Sequence, residues 1–211
     1  IEVLHGREVP DPYRWMEDLE SEDIRDWIDA QNEITFAFLK KSPLREKIQK
    51  RMTELWNYEK YSPPYKRAGR YFFAFNDGLQ NQDMLYWLDD LDGEPQVLID
   101  PNTLSEDGTV ALSGAAVSRD GQYLAYGLAE DGSDWQTWHV RRVEDDEDLP
   151  DKIEWVKFSG ASWDGKGEGF YYSRYDAPEG AALKQANFYH KLYYHKLGTD
   201  QSKDLLIYER P

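Results

Sequence analysis

A nucleophile, a metal ligand or an acid pair each demand particular residues at particular spacings, and this sequence offers few. A serine nucleophile on an α/β-hydrolase turn needs Gly-x-Ser-x-Gly between a strand and a helix, so that the hydroxyl stands on a sharp exposed bend. The nearest match, Gly160-Ala161-Ser162-Trp163-Asp164, lacks the final glycine. The Gly165-Lys166-Gly167-Glu168-Gly169 that follows is a turn rather than a helix, so Ser162 reads as a turn residue. The histidines are His5, His139, His190 and His195. The last two are an odd number of residues apart, and on a strand they point to opposite faces, so they do not share a metal. His139 lies inside a strand-like run and reads as a packed or edge histidine. With no cysteine, disulfides, thiolate metal sites and a cysteine nucleophile are excluded. No metal and no other cofactor is expected.

The carboxylates gather in turns. Asp89-Asp90-Leu91-Asp92-Gly93-Glu94 has the outline of a calcium loop, but such a loop needs an oxygen ligand at its third position, where Leu91 stands. Asp145-Asp146-Glu147-Asp148 reads as a solvated loop. No motif marks a pair of carboxylates for glycoside chemistry. Among the aromatics, Trp135, Trp138, Phe158 and Trp163 suit packing between sheets, with a minority left to face a central cavity.

The elements that must position these residues change character near Tyr58. Before it the period is helical. Ser21 is a helix N-cap with Glu22 and Asp23 in the first turn, where carboxylates suit the helix dipole, and Ile24, Trp27, Ile28, Ile34 and Phe38 follow at helical spacing. Ser42-Pro43 begins a second helix with proline at its first position, striped by Leu44, Ile48, Met52 and Leu55. After Tyr58 come short runs rich in Tyr, Phe, Val and Trp, set off by Asp-Gly turns such as Asp92-Gly93, Asp120-Gly121 and Asp164-Gly165. The runs repeat. Gly69-Arg70-Tyr71 is matched by Gly121-Gln122-Tyr123 and Gly169-Phe170-Tyr171, and Leu85-Tyr86-Trp87 by Trp138-His139-Val140 and Leu192-Tyr193-Tyr194. Val97-Leu98-Ile99 and Leu205-Leu206-Ile207 close the first and third units, with a weaker counterpart near Leu149 in the middle one. The period of about 50 residues is that of propeller blades. A β-sandwich with coincidental spacing is the alternative. Three units are too few for a ring, which takes about four to eight blades, so further sequence is expected beyond them.

Composition bounds the partners. The 211 residues carry a net charge of −16, which repels phosphate backbones and anionic membrane surfaces. An aromatic content of 15%, with eight Trp and fifteen Tyr, sets the chain apart from disordered acidic sequences. No stretch approaches the roughly 20 apolar residues of a membrane span. A cytoplasmic setting is expected, and both ends look cut.

The run Asp11-Pro12-Tyr13-Arg14-Trp15-Met16-Glu17-Asp18 resembles the N-terminal signature of the prolyl oligopeptidase family. The resemblance continues through Ala30-Gln31-Asn32, Asp77-Gly78-Leu79-Gln80-Asn81-Gln82, Gly132-Ser133-Asp134-Trp135, Val156-Lys157-Phe158-Ser159 and Lys191-Leu192-Tyr193-Tyr194-His195 to Gly198-Thr199-Asp200-Gln201-Ser202. These blocks lie in order and span nearly the whole chain. The resemblance implies a mainly β fold. Residues 1–57 would be a helical segment that belongs to an α/β-hydrolase domain, and residues 58–211 the first three blades of a seven-bladed β-propeller. It implies a serine endopeptidase acting after proline on short peptides, whose Ser, Asp and His lie in a C-terminal α/β-hydrolase domain beyond these residues. No catalytic residue is therefore assigned in this chain, which alone is expected to be inactive. One site residue is implied. Phe158 matches a propeller phenylalanine that lines the substrate pocket near the residue two before the scissile bond's proline, although the same ring fits a blade core equally well. The loops Asp145–Asp148 and Asp176–Ala186 look individual to this chain. The competing reading is a non-enzymatic propeller that binds peptides or proteins.

Overall fold

The structure, a computed structural model, describes residues 1–19, 21–178, 180 and 187–210. The chain separates into two compact units, Ile1–Trp56 and Asn57–Pro211. Of the loop from Asp176 to Ala186, positions 179 and 181–186 lie outside the described residues.

The first unit opens on a hairpin of β1 (Glu2–Leu4) and β2 (Arg7–Val9), turned by His5 and Gly6 at φ 52° and 78°. Two successive positive φ values give the turn whose twist matches paired strands. Helix α1 spans Glu22–Lys40, and Ser21 Oγ accepts from the Ile24 N–H at 3.3 Å, the expected cap. Helix α2 spans Arg45–Trp56 and so begins two residues after Pro43. The Ser42 carbonyl captures the Arg45 N–H, which makes Pro43 and Leu44 a tight turn before the first full helical bond, Ile48 N–H to Leu44. Ile24 is buried, while Leu44, Ile48, Met52 and Leu55 are all more than half exposed. Among the described residues no helix is long and apolar enough to cross a membrane.

The second unit is antiparallel sheet. Strands β3 (Lys60–Tyr61), β4 (Tyr65–Arg67), β5 (Arg70–Asn76), β6 (Met84–Leu88) and β7 (Gln96–Ile99) form one sheet in the order β3-β5-β6-β7, with β4 also on β5. The remaining strands are β8 (Val110–Val117), β9 (Tyr123–Glu130), β10 (Gln136–Arg142), β11 (Asp148–Val156), β12 (Ser162–Trp163), β13 (Gly169–Arg174), β14 (Lys191–Lys196) and β15 (Leu205–Tyr208). They run as one open sheet that narrows between β11 and β13 to a single residue pair, Val156 opposite Arg174. The Gly-x-Tyr repeats therefore open the second strand of each of three groups. The middle unit's weak fourth segment is β11, whose nine residues make it the longest strand described.

Adjacent groups stack face to face. One core joins Phe72, Trp87, Leu98 and Ile99 to Val117, Leu124 and Tyr126. A second joins Trp138, Val140, Ile153 and Val156 to Trp163, Phe170 and Tyr172. Trp138 is 3% exposed and lies over Gly114 and Gly127, where an added Cβ would sit 2.9 Å and 2.7 Å from the indole. Only glycine leaves room for it.

Where the sheet narrows, side chains take over. Gln201 donates to and accepts from the backbone of Glu154, both at 3.0 Å. His195 is wholly buried, with Nδ1 2.6 Å from Asp204 and Nε2 2.9 Å from Asp151 on β11. The Gly198 N–H also donates to Asp151, and the Tyr172 hydroxyl to Asp204. Burial opposes the imidazolium charge, but hydrogen bonds to Asp151 and Asp204 outweigh it and push the pKa up to about 9. At neutral pH both ring nitrogens donate. Replacing His195 by Ala leaves two buried carboxylates without their cation, and is expected to lower unfolding free energy by roughly 3–5 kcal/mol in urea denaturation. The stabilisation from His195 is expected to be complete below its unfolded pKa of about 6.5 and to be lost as pH rises through about 9. A pH series on wild type and variant should show their difference shrinking across that window.

Candidate functional site

The candidate site lies at the C-terminal end of β11. Its alternation runs Leu149, Asp151, Ile153 inward, which would place Trp155 in the core. Instead Val156 is buried. Between Ile153 and Val156 the strand carries one residue more than β10 opposite, where Trp138 pairs Ile153 and Gln136 pairs Val156. Such a bulge re-aims a side chain. Trp155 absorbs it at φ 62°, a left-handed conformation that costs a non-glycine residue energy, and its indole is delivered to the sheet's end.

There it joins an aromatic rim. Trp135 meets Trp155 edge to face at 5.8 Å and Tyr175 at 6.1 Å, and Tyr175 stacks on His190 at 4.4 Å. The Tyr175 N–H donates to the Trp155 carbonyl. Lys157 threads the rim, its ammonium 4.8 Å from the Trp135 ring, 5.4 Å from the Phe158 ring and 3.8 Å from Asp134. Beyond Trp135 and Trp155 lies a cleft of about 520 Å³, walled by Leu128, Glu130, Asp131, Ser133 and Glu154.

Phe158, the one site residue expected from sequence, follows directly. It is 68% exposed and held at φ 55°. The ring therefore lies outside both cores formed by the described residues. Its loop is pinned by Ser159, whose hydroxyl accepts from the Ser173 N–H and donates to the Gly160 carbonyl. Trp138 and Trp163 are core residues, and Trp163 donates to the Ala116 carbonyl across the stacked groups at 2.7 Å. Trp155, Lys157 and Tyr175 were given no role from sequence, and His190, weighed there only as a metal partner of His195, stacks on Tyr175 instead. The doubled apolar pair Trp155-Val156, which breaks the strand's alternation, was the available signal.

The other candidates go elsewhere. Ser162 sits in β12 opposite Tyr171. His139 stacks on Tyr126, and burial lowers its pKa. Among the described residues no group of three or more His, Asp or Glu is placed to hold a metal ion. The Asp145–Asp148 run is a solvated loop only in part. Asp148 begins β11, takes both arms of the Arg141 guanidinium at 2.8 and 2.7 Å, and accepts from the Tyr126 hydroxyl. Arg142 pairs with Asp145 and Glu147. The two arginines that precede the turn supply countercharges a solvated loop would not need.

Comparison with known proteins places this geometry. The family model described as prolyl oligopeptidase, N-terminal beta-propeller domain, matches residues 1–211. A prolyl endopeptidase of Elizabethkingia meningoseptica is 43% identical over 207 residues, which are 98% of this chain and 29% of that protein. A prolyl endopeptidase of Dictyostelium discoideum is 31% identical over 96% of this chain and 33% of its own. A structure from a study of two prolyl endopeptidases is similar with a TM-score of 0.90 and 36% identity, over 99% of this chain and 31% of that one. Prolyl oligopeptidase B of Galerina marginata, solved with a 25mer macrocyclization substrate, is similar with a TM-score of 0.84 and 30% identity, over 96% of this chain and 31% of its own. The chain thus spans about a third or less of the length of these relatives.

An exposed ring in a left-handed conformation adds nothing to the core. Phe158→Gly is therefore expected to leave stability unchanged or raise it by about 1 kcal/mol. A loss of more than that in urea denaturation would show that the ring packs in solution.

Proposed function

Because this chain belongs to the prolyl oligopeptidase family, we propose that it is the N-terminal part of a serine endopeptidase that cleaves short peptides after proline. The observation that carries this is the match of the whole chain to proteins named prolyl endopeptidase, at up to 43% identity, while it spans under a third of the first of them. Residues 1–57 are in this reading the helical segment of an α/β-hydrolase domain, and the exposed stripe Leu44, Ile48, Met52 and Leu55 supports it by offering a face for that domain to cover. Residues 58–211 are the first three of seven blades, in keeping with the three strand groups.

The chemistry belongs to the hydrolase domain. A serine there attacks the carbonyl carbon of the proline itself, a histidine takes its proton and passes it to the departing amine, an aspartate orients the histidine, and water then releases the acyl group. The present residues contribute an access filter and one wall of the substrate pocket. Phe158 is that wall, and its exposure at the end of β11 supports the role. An aromatic face at a cavity rim gives a peptide side chain apolar area without committing it to a hydrogen bond. A cytoplasmic location is part of the same proposal.

The test is hydrolysis of a fluorogenic Gly-Pro reporter by the full-length protein and by residues 1–211 alone. Cleavage by the first and none by the second is expected, with activity lost when alanine replaces proline. Absence of cleavage by the full-length protein would favour a non-enzymatic peptide-binding propeller. Cleavage by residues 1–211 would place the nucleophile in this chain.

A further inference from the structure

We infer that Lys157 is a positioning residue for the Phe158 wall, an inference that rests on the reading of Phe158 as part of the substrate pocket. The ammonium of Lys157 holds the exposed ring where a peptide side chain meets it. A ring that is 68% exposed has little packing to select its rotamer. The clamp on its loop, from the Ser173 N–H to the Ser159 hydroxyl, acts through the backbone. It fixes where the side chain starts and leaves the side-chain torsions open. Among the described residues no other aromatic ring stacks on Phe158, and the cation over it is Lys157, with Nζ 5.4 Å from the ring centroid.

Lys157 suits the task because it is itself held. Its side chain is only 12% exposed, an unusual depth for a lysine. Nζ lies 4.8 Å from the Trp135 ring and 3.8 Å from Asp134. Trp135 is in turn set edge to face by Trp155 and Tyr175, so the bulge in β11 determines where the ammonium sits. Consecutive side chains of an extended strand point to opposite faces, which would keep Lys157 and Phe158 apart. The left-handed φ of 55° at Phe158 instead brings ring and ammonium together. The conformation that costs energy is thus the one that makes the contact. A cation over a ring is attracted by the ring's quadrupole, more strongly where the pair is shielded from water. A neutral side chain of similar length fills the same space and leaves the ring free to turn.

The experiment uses the full-length protein. Reporters Phe-Ala-Pro and Gly-Ala-Pro, each with a fluorogenic amine after proline, differ only at the residue two before it. The ratio of their kcat/KM values reads the wall, and wild type is expected to favour the phenylalanine reporter about tenfold. Lys157→Gln is expected to cut that ratio about fivefold, through a higher KM for the phenylalanine reporter rather than a lower kcat. Lys157→Arg is expected to restore it, since a guanidinium keeps the cation. Phe158→Ala also lowers the ratio, and adding Lys157→Gln to it is expected to cost nothing more, because the lysine acts through the ring. A general loss of stability would instead move both reporters alike. A ratio unchanged in Lys157→Gln, or a full fivefold loss from Lys157→Gln in the Phe158→Ala background, overturns the inference. Binding of the matching Phe-Ala-Pro and Gly-Ala-Pro amides is measured by calorimetry on the same proteins. If the amides show the preference and its dependence on Lys157 while neither reporter is cut, the positioning role stands and the peptidase reading falls. If wild type distinguishes neither the reporters nor the amides, the Phe158 wall and the role of Lys157 fall together.

Discussion

Both faces of the middle strand group must be covered, and most of the second unit follows from that. On β9 the consecutive residues Leu124, Ala125 and Tyr126 are all buried. Leu124 and Tyr126 enter the core shared with β5–β7, and Ala125 enters the core shared with β12 and β13. A sheet with one wet face would alternate. This group instead needs a neighbour on each side, and each neighbour then has an outer face of its own. Stacked groups of this kind are the logic of a propeller, in which every blade is stable only against the next.

Stacking alone does not fix register, because apolar faces slide. Polar contacts at the joints do. Gln82 donates to the Val110 carbonyl and accepts from the Leu112 N–H. Gln201 does the same to both backbone groups of Glu154. Each amide thereby mimics one rung of a ladder across a joint where the strands pair at one position or not at all. Arg141 reaches the Leu98 carbonyl at 3.0 Å while Asp148 holds its other arms. His195 adds a buried charge that is satisfied only when Asp151 and Asp204 arrive together. Such contacts tolerate no slip, since a displaced partner leaves a buried polar group unpaired.

These joints also explain how an exposed ring can be held in a costly conformation. Asp151, Glu154 and Trp155 lie on one strand, and the first two are fixed by the third group. The bulge at Trp155 is thus clamped on its N-terminal side, and the Ser159 contacts clamp the far side of Phe158. Much of this was legible in the sequence. Helical periodicity, the Ser21 cap and the Gly-x-Tyr repeats identified α1 and the second strand of each group, because local spacing sets them. Burial of Trp138 and Trp163 matches the packing between sheets expected of them, whereas the exposure of Phe158 and the pairing of Asp148 with Arg141 were not legible, since each depends on what a neighbouring strand or group brings. The same holds for His195. Opposite orientation to His190 follows from strand geometry, but its two carboxylate partners come from positions 44 and 9 residues away.

The first unit poses the converse case, an amphipathic pattern whose partner is not within it. Helix α2 has twelve residues and no buried one. An isolated helix of that length is marginal in water, and its stability must come from packing of its apolar face. Sequence supplied that face with Leu44, Ile48, Met52 and Leu55 at spacings of four and three, and the structure leaves each more than half exposed. The net charge of −16 keeps such a surface in solution by mutual repulsion, but repulsion orders nothing. The energy that fixes α2 must therefore come from apolar area it buries elsewhere, at about 25 cal/mol for each Å² covered. On the function proposed above, a hydrolase domain seated on that stripe would supply it.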